Sequence, residues 1–165
     1  YRAIAELRAR PPADVVAALV RRLRAAAEPS PKVRHYAVIL LGHLGDPAAA
    51  PALRARLEDP IAEVRCNAAL SLLRLGDRSG ERVLTAELAS PSRAVRSLAA
   101  AHLAWFGDRA GAGVLVDDLA SPDPYVRASA IQALARLFGE DLGFAADAPE
   151  DARAAALTRW RARVK

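Results

Sequence analysis

The chain has 165 residues, enough for one domain with a substantial core, and a net charge of +5 from 24 basic and 19 acidic residues. Hydrophobic residues make up 53% of the chain, but 40 residues are alanine and only 5% are aromatic, so the composition favours an all-helical protein with close helix–helix contacts. No apolar run is long enough to span a membrane, and the only cysteine, Cys66, excludes an intramolecular disulfide.

The first ten residues, YRAIAELRAR, predict a helix that the given sequence enters partway along. The sequence contains no methionine, so we expect the natural N-terminus to lie upstream, and a removed signal or tag is one explanation. No secretory signal is visible in the residues given. We favour the cytoplasm, with export as the alternative.

From residue 29 onward, one pattern recurs four times with a spacing of 31 residues. Each copy has a proline, then Val-Arg, then a small alanine that lets neighbouring helices approach, and then two large apolar positions. These residues lie on one stripe of an α-helix, so each copy predicts an amphipathic helix that buries the stripe. The stripe positions are Val33, Ala37, Leu41 and Leu44; Val64, Ala68, Leu72 and Leu75; Val95, Ala99, Leu103 and Phe106; and Val126, Ala130, Leu134 and Leu137.

Short polar motifs separate the helices of each copy. Asp59-Pro60, Ser90-Pro91 and Ser121-Pro122 combine a capping side chain with a proline suited to the first helical position. A glycine after each helix predicts a left-handed stop, and the acid that follows it predicts the cap of a second helix. The stops are Gly45-Asp46, Gly76-Asp77, Gly107-Asp108 and, displaced by one residue, Gly139-Glu140; the second helices carry Leu53 and Leu57, Leu84 and Leu88, and Leu115 and Leu119. Each copy is thus a helical hairpin that buries its stripe by stacking on its neighbours.

A terminal helix is predicted over 148–163, after the last copy. Asp147 and Glu150 have the spacing of a capping box, and Pro149 falls inside the first turn.

The string DPIAEVRCNAALSLLRLGD at 59–77 and its three relatives resemble the HEAT repeat, in the short bacterial form related to phycobilin-lyase subunits. The resemblance covers roughly 13–140. It implies an all-α fold, a right-handed α-solenoid of stacked antiparallel helical hairpins in which the Val-Arg helix lines the concave face. It also implies repeats at 13–45, 46–76, 77–107 and 108–139, with 1–10 as the last helix of a truncated preceding unit, in a single domain over 1–165. The segment from 143 onward resembles the closing segment of some bacterial HEAT-like proteins.

Arginine supplies 22 of the 24 basic residues. Four of them, which we call the arginine row, follow the repeat spacing: Arg34, Arg65, Arg96 and Arg127. One interpretation is contact with nucleic-acid phosphates. The other is a ladder of inter-repeat pairs with turn acids such as Glu28, Asp59 and Asp123. The resemblance favours this structural role, because the HEAT family uses its arginine in that way.

The sequence offers little support for catalysis. His35 and Cys66 share a helix position in adjacent copies, which would make at most a two-ligand metal site, and packing on the inner surface is the simpler interpretation. Some HEAT-like enzymes carry His-Glu pairs for a di-iron centre, and this sequence has no such dipeptide. The stretch 111–113 lacks the strand of a phosphate loop, and Asp117 and Asp118 are interpreted as a solvated helix end. We therefore predict no enzyme activity, no metal and no cofactor.

The predicted inner face of the Val-Arg helices carries mostly small or apolar residues, and exposed surfaces of this kind mark interaction sites. Tyrosine, tryptophan and arginine are common interface anchors. The candidate partner-binding residues are Tyr36, Ile39, His43, Leu70, Arg74, Trp105 and Arg136. Arg74, Trp105 and Arg136 share one column, which predicts a tryptophan flanked by two arginines that accepts an acidic or aromatic peptide. The alternative is that curvature, or a segment outside this sequence, covers the face.

The preferred function is therefore a non-catalytic scaffold that binds a peptide or helix of a partner protein on its concave face. One alternative is nucleic-acid binding, as in HEAT-like DNA glycosylases, although acidic residues are interspersed throughout the chain. Another is a phycobilin-lyase-like subunit, which rests on repeat similarity alone. The sequence leaves the identity of the partner and the oligomeric state open.

Overall fold

The computed structural model describes residues 13–24 and 30–165, and all regular secondary structure in these residues is helical. Their α-helices are α1 (Ala13–Arg24), α2 (Pro31–Leu44), α3 (Ala50–Ala55), α4 (Ala62–Arg74), α5 (Glu81–Glu87), α6 (Arg93–Trp105), α7 (Ala112–Asp118), α8 (Pro124–Phe138) and α9 (Glu150–Arg163). The helix predicted over 1–10 and the turn acid Glu28 lie outside the described residues.

From α2 to α8, long Val-Arg helices alternate with short helices, a difference in length that the repeat pattern does not predict. The Val-Arg helices α2, α4, α6 and α8 have 13 to 15 residues, whereas α3, α5 and α7 have only 6 or 7. Short 3-10 turns extend α3 at both ends and precede α5. Among the described helices, none combines the length and the apolar character needed to cross a lipid bilayer.

The chain forms two compact units, residues 1–83 and 84–165, and the division falls within α5. In the first unit, α4 packs against α2 and α3, and α1 packs against α2. In the second unit, α6, α7 and α8 pack against one another, and α9 contacts α7. Each unit has its own hydrophobic core.

The Val-Arg helices after the first begin later than predicted. Asp59, Ser90 and Ser121 are not N-caps; each accepts a hydrogen bond from the N–H two residues later, at 3.1, 3.3 and 3.3 Å. This local bond closes a tight turn before the helix, so the proline of each motif lies in that turn. The N-cap of α6 is Ser92, whose side chain accepts a hydrogen bond from the N–H of Val95. The N-cap of α8 is Asp123, whose side chain accepts one from the N–H of Tyr125. The predicted capping role of the earlier residues is therefore wrong.

The predicted helix stops are confirmed. The glycine after each Val-Arg helix has a φ of 74 to 80°, in the left-handed region that glycine adopts without steric cost. The aspartate after each of the first three stops accepts a hydrogen bond from the N–H two residues later, at 2.8 to 2.9 Å. In the last copy, the side chain of Asp141 accepts the equivalent hydrogen bond from the N–H of Gly143, at 2.8 Å.

The predicted stripe is buried through the middle of each Val-Arg helix. In α4, Val64, Ala68 and Leu72 are fully buried, and the alanine and first leucine of the other three copies are buried as well. Phe106 is the exception, because α6 ends at Trp105 and the phenyl ring is exposed. The prediction that Phe106 belongs to the core is wrong.

Two glycines lie against the backbone of a Val-Arg helix at positions that the stripe does not include. A Cβ added at Gly80 would lie 2.6 Å from Cα of Ala69, and one at Gly111 would lie 2.6 Å from Cα of Ala100. Both the glycines and the alanines are 31 residues apart, so the close approach is a feature of the repeat. The contacted alanines, Ala69 and Ala100, each follow the stripe alanine of their helix by one residue.

The terminal helix α9 begins at Glu150, without the predicted capping box. Its N-cap is Pro149, and no side chain caps it. Trp160 attaches the helix to the second unit: its indole is fully buried and donates from Nε1 to the carbonyl of Asp141 at 3.0 Å. An aromatic anchor therefore fixes this helix where a cap was expected.

Candidate interaction surface

The arginine row serves the structure of the repeats. Arg34 is buried and donates from Nε and Nη2 to the two carboxylate oxygens of Asp59, at 2.7 and 3.0 Å. Asp59 lies in the turn before the next Val-Arg helix, so this is the inter-repeat pair that the sequence predicts. A bidentate arginine–carboxylate pair combines two charge-assisted hydrogen bonds.

The other three arginines bind backbone carbonyls of the turn before their own helix. Arg65 donates to the carbonyls of Asp59 and Pro60, at 2.8 and 3.3 Å. Arg96 donates to the carbonyls of Ser90 and Pro91, at 2.7 and 3.1 Å. Arg127 donates to the carbonyls of Ser121 and Pro122, at 2.8 Å each. The predicted pairing of Asp123 with this row is wrong, because Asp123 caps α8 instead. The predicted ladder of inter-repeat pairs with turn acids therefore holds only for Arg34, whereas the other three arginines hold the turn before their own helix.

Asp59 is ionised although its side chain is buried. Burial, the largest influence, raises its pKa, but hydrogen bonds from Arg34 and the Ile61 N–H, together with the charges of Arg34 and Arg56, outweigh it. The pKa of Asp59 therefore lies below its ordinary value. The turn before α4 is thus held by a charged carboxylate.

The candidate residues of the first unit differ in exposure. Tyr36 is 69% exposed and lines a groove of about 410 Å³ between α1 and α2. Nη1 of Arg74 lies 3.4 Å from Nε2 of His43, and both side chains are half-buried. Ile39 packs partly against the core, and Leu70 is only 8% exposed. Leu70 therefore offers little surface to a partner, whereas Tyr36, His43 and Arg74 stay candidates.

The structure brings together the two candidates of the second unit. Trp105 ends α6 and is 51% exposed, and Arg136 lies in the last turn of α8. The guanidinium carbon of Arg136 lies 4.0 Å from the centroid of the Trp105 ring, a cation–π contact. The sequence predicts this neighbourhood from the repeat spacing, although the stacking itself depends on the side-chain conformations. Arg74, the other predicted member of the column, lies in the first unit beside His43.

Two features of the second unit were missed in the sequence. Tyr125 is 84% exposed and lines a groove of about 610 Å³ formed by α6, α7 and α8. Asp118, predicted on a solvated helix end, is buried and accepts from Nε of Arg93 at 3.1 Å, so that prediction is wrong. The available signal was its spacing, because Asp118 follows the core residue Leu115 by three positions and shares its face of α7.

The two residues considered for a metal site are occupied in packing. The ring of His35 lies edge-on to that of Tyr36, with 5.4 Å between centroids, and Cys66 is fully buried. In the described ranges, no group of three or more histidine, cysteine or acidic side chains is arranged to hold a metal ion.

Comparison with known proteins places the chain in one family. A family model described as HEAT repeats matches residues 16–85 and 81–159. No curated protein matches the chain. A solved structure of human deoxyhypusine hydroxylase in complex with glycerol is similar, with 20% sequence identity, coverage of 92% of this chain and 74% of that chain, and a TM-score of 0.37.

The family match confirms the predicted all-α fold class and the resemblance to HEAT repeats. The predicted handedness and the boundaries of the repeats stay predictions. Because the two matched segments together span most of the sequence, and the helical hairpins recur at the same spacing, this chain belongs to the HEAT-repeat family and is a helical-repeat scaffold.

Proposed function

We propose that this chain is a non-catalytic interaction scaffold that holds a peptide or helix of a partner protein against its Val-Arg helices. The observation that carries the proposal is the exposed Trp105 ring with Arg136 stacked on it. Tryptophan and arginine are the residues most enriched among those that dominate binding energy at protein interfaces. A helical-repeat protein presents such residues on a rigid and extended surface.

The stacking favours binding because it restrains both side chains before a partner arrives. An exposed cation–π contact contributes roughly 0.5–1 kcal/mol, which limits the rotamers of two large side chains. Ordering a side chain at an interface costs about 0.5–1.5 kcal/mol, so a restrained pair loses less on binding. Covering the exposed part of the indole adds the hydrophobic contribution, about 25 cal/mol for each Å² removed from water.

The arrangement gives less support to nucleic-acid binding. The arginine row, which was the sequence feature in its favour, donates its hydrogen bonds to Asp59 and to turn carbonyls. From residue 84 to the end, basic and acidic residues are equal in number, so this part of the chain has no excess positive charge. Binding to duplex nucleic acid depends on neutralising several phosphates.

Selection from a displayed library of random peptides tests the proposal. We expect the chain to select peptides, and we expect Trp105→Ala to weaken their binding at least roughly tenfold in calorimetric titrations. Tyr125→Ala is the comparison variant, because it removes an exposed aromatic ring from the groove of the same unit and so distinguishes binding at Trp105 from binding in that groove. Both variants should keep the far-ultraviolet circular dichroism of the parent. A library that yields no binding peptide, or peptides that bind Trp105→Ala as well as the parent, would overturn the proposal.

A further inference from the structure

We infer that the Trp105–Arg136 pair selects an acidic segment, in which a carboxylate binds Arg136 and a neighbouring apolar side chain lies on the Trp105 ring. This inference rests on the proposed function and specifies the partner class. It follows from the state of Arg136, from the positions of the nearby acids and from the geometry of the stack.

Arg136 has hydrogen-bonding capacity that the fold does not use. Its side chain is exposed, and in the described part of the chain it stacks on Trp105 without forming a hydrogen bond or an ion pair. Other arginines of the same unit are paired: Arg93 with Asp118 at 3.1 Å, and Arg163 with Glu140 at 3.0 Å. A guanidinium has five N–H donors and no acceptor, so an arginine stacked in this way is a site for an incoming anion.

The acids of the turns near α6, α7 and α8 are already engaged. Asp108 accepts from the N–H of Ala110 at 2.8 Å, and Asp123 accepts from the N–H of Tyr125 at 2.8 Å. Asp118 and Glu140 hold the ion pairs with Arg93 and Arg163. These four carboxylates thus bind turn N–H groups or other arginines, and none of them is paired with Arg136.

The stacking geometry favours a carboxylate beside an apolar side chain. A guanidinium that lies over an indole keeps its N–H groups in its own plane, where a carboxylate accepts two parallel hydrogen bonds. The uncovered part of the Trp105 ring provides apolar surface next to this polar edge. The predicted inner face of α6 and α8 adds neutral residues at Ala101, Ala128 and Gln132. One positive charge among neutral positions matches an acidic peptide with apolar residues, whereas a polyphosphate backbone needs several cations.

The peptides selected by the parent chain provide the first test. We expect aspartate or glutamate next to a large apolar residue to be enriched among them. For one selected peptide, a copy with glutamine in place of glutamate should bind about tenfold more weakly, which corresponds to one charge-assisted hydrogen bond. Selected peptides without acidic enrichment, or equal binding of the glutamine copy, would refute the acidic specificity and leave the scaffold proposal standing. A failure to select any peptide would refute the scaffold proposal itself.

Variants of the chain assign the effect to Arg136. Arg136→Gln should weaken binding of the acidic peptide about tenfold and should weaken binding of the glutamine copy much less, because the copy loses only the restraint of the stack. Arg161→Gln is the matched control, because Arg161 is exposed on α9 and its loss changes the net charge equally. If Arg136→Gln and Arg161→Gln weaken binding of the acidic peptide equally, only the net charge of the chain matters and the inference is refuted. Tighter binding of duplex DNA than of the peptide, with a steep salt dependence and with sensitivity to Arg136→Gln, would also refute it.

Discussion

Gly111 tests the closest helix contact of the second unit. The Cβ of an alanine at this position would lie 2.6 Å from both Cα and Cβ of Ala100, and 3.3 Å from Cδ2 of Leu88. Carbon atoms pack at about 3.5–4.0 Å, so α6 and the start of α7 would have to separate by about 1 Å. Overpacking of this kind costs about 1–3 kcal/mol. We therefore expect Gly111→Ala to lower the melting temperature by about 2–12 °C for a chain of this length.

Gly113 provides a matched control two residues away. It lies inside α7, is exposed, and has no atom within 4 Å of an added Cβ. Gly113→Ala should therefore raise the free energy of unfolding by about 0.5–1 kcal/mol, because alanine is the better helix former. Urea denaturation followed by circular dichroism measures both variants. Opposite signs support the packing described for α6 and α7, and a neutral or stabilising Gly111→Ala would refute it.

Four further substitutions, at three positions, probe other parts of the fold in the same denaturation assay. Asp59→Ala leaves Arg34 buried without its carboxylate and should lower the free energy of unfolding by about 3–5 kcal/mol. A decrease below about 1 kcal/mol would contradict the described pair. Because the pKa of Asp59 is lowered on folding, its charge stabilises the fold above the ordinary aspartate pKa. The stability difference between the parent and Asp59→Asn should thus shrink as the pH falls through the lowered pKa, and a constant difference would argue against this linkage. Ala68→Leu should overpack the core of the first unit and cost about 1–3 kcal/mol, and unchanged unfolding would count against the stripe. Gly107→Ala should lower the free energy of unfolding by about 1–2 kcal/mol through the strain of its left-handed backbone alone, because the added Cβ would meet no atom within 4 Å. Unchanged stability would contradict the described helix stop.

The repeat itself was predictable because its causes are local and periodic. A glycine such as Gly76 must follow a helix that ends in a left-handed turn, and the stripe through Val64 and Leu72 fixes which face is buried. The helix starts were less predictable. Asp59 and Ser90 are good capping residues, but each closes a local turn just before the helix begins, and sequence preference does not distinguish these roles.

The candidate site was predictable only in part. The repeat spacing brings Trp105 and Arg136 together, because equivalent positions of successive Val-Arg helices are neighbours. Phe106 was placed in the core because the stripe was extended past the end of α6. Asp118 and Tyr125 depend on how the seven-residue helix α7 packs between longer helices. The sequence marks Leu115 as a core position of this helix, but a charged side chain such as Asp118 is ordinarily exposed, so its burial three residues later was not predicted.

Quenching of tryptophan fluorescence by acrylamide measures most directly whether a partner covers Trp105. Trp160 is fully buried, so quenching in the parent chain reports mainly on the half-exposed Trp105. We expect a saturating amount of a selected acidic peptide to reduce the quenching strongly, and the Trp105→Phe variant to show low quenching with or without peptide. Quenching that stays the same while calorimetry shows the peptide bound would place the binding surface elsewhere.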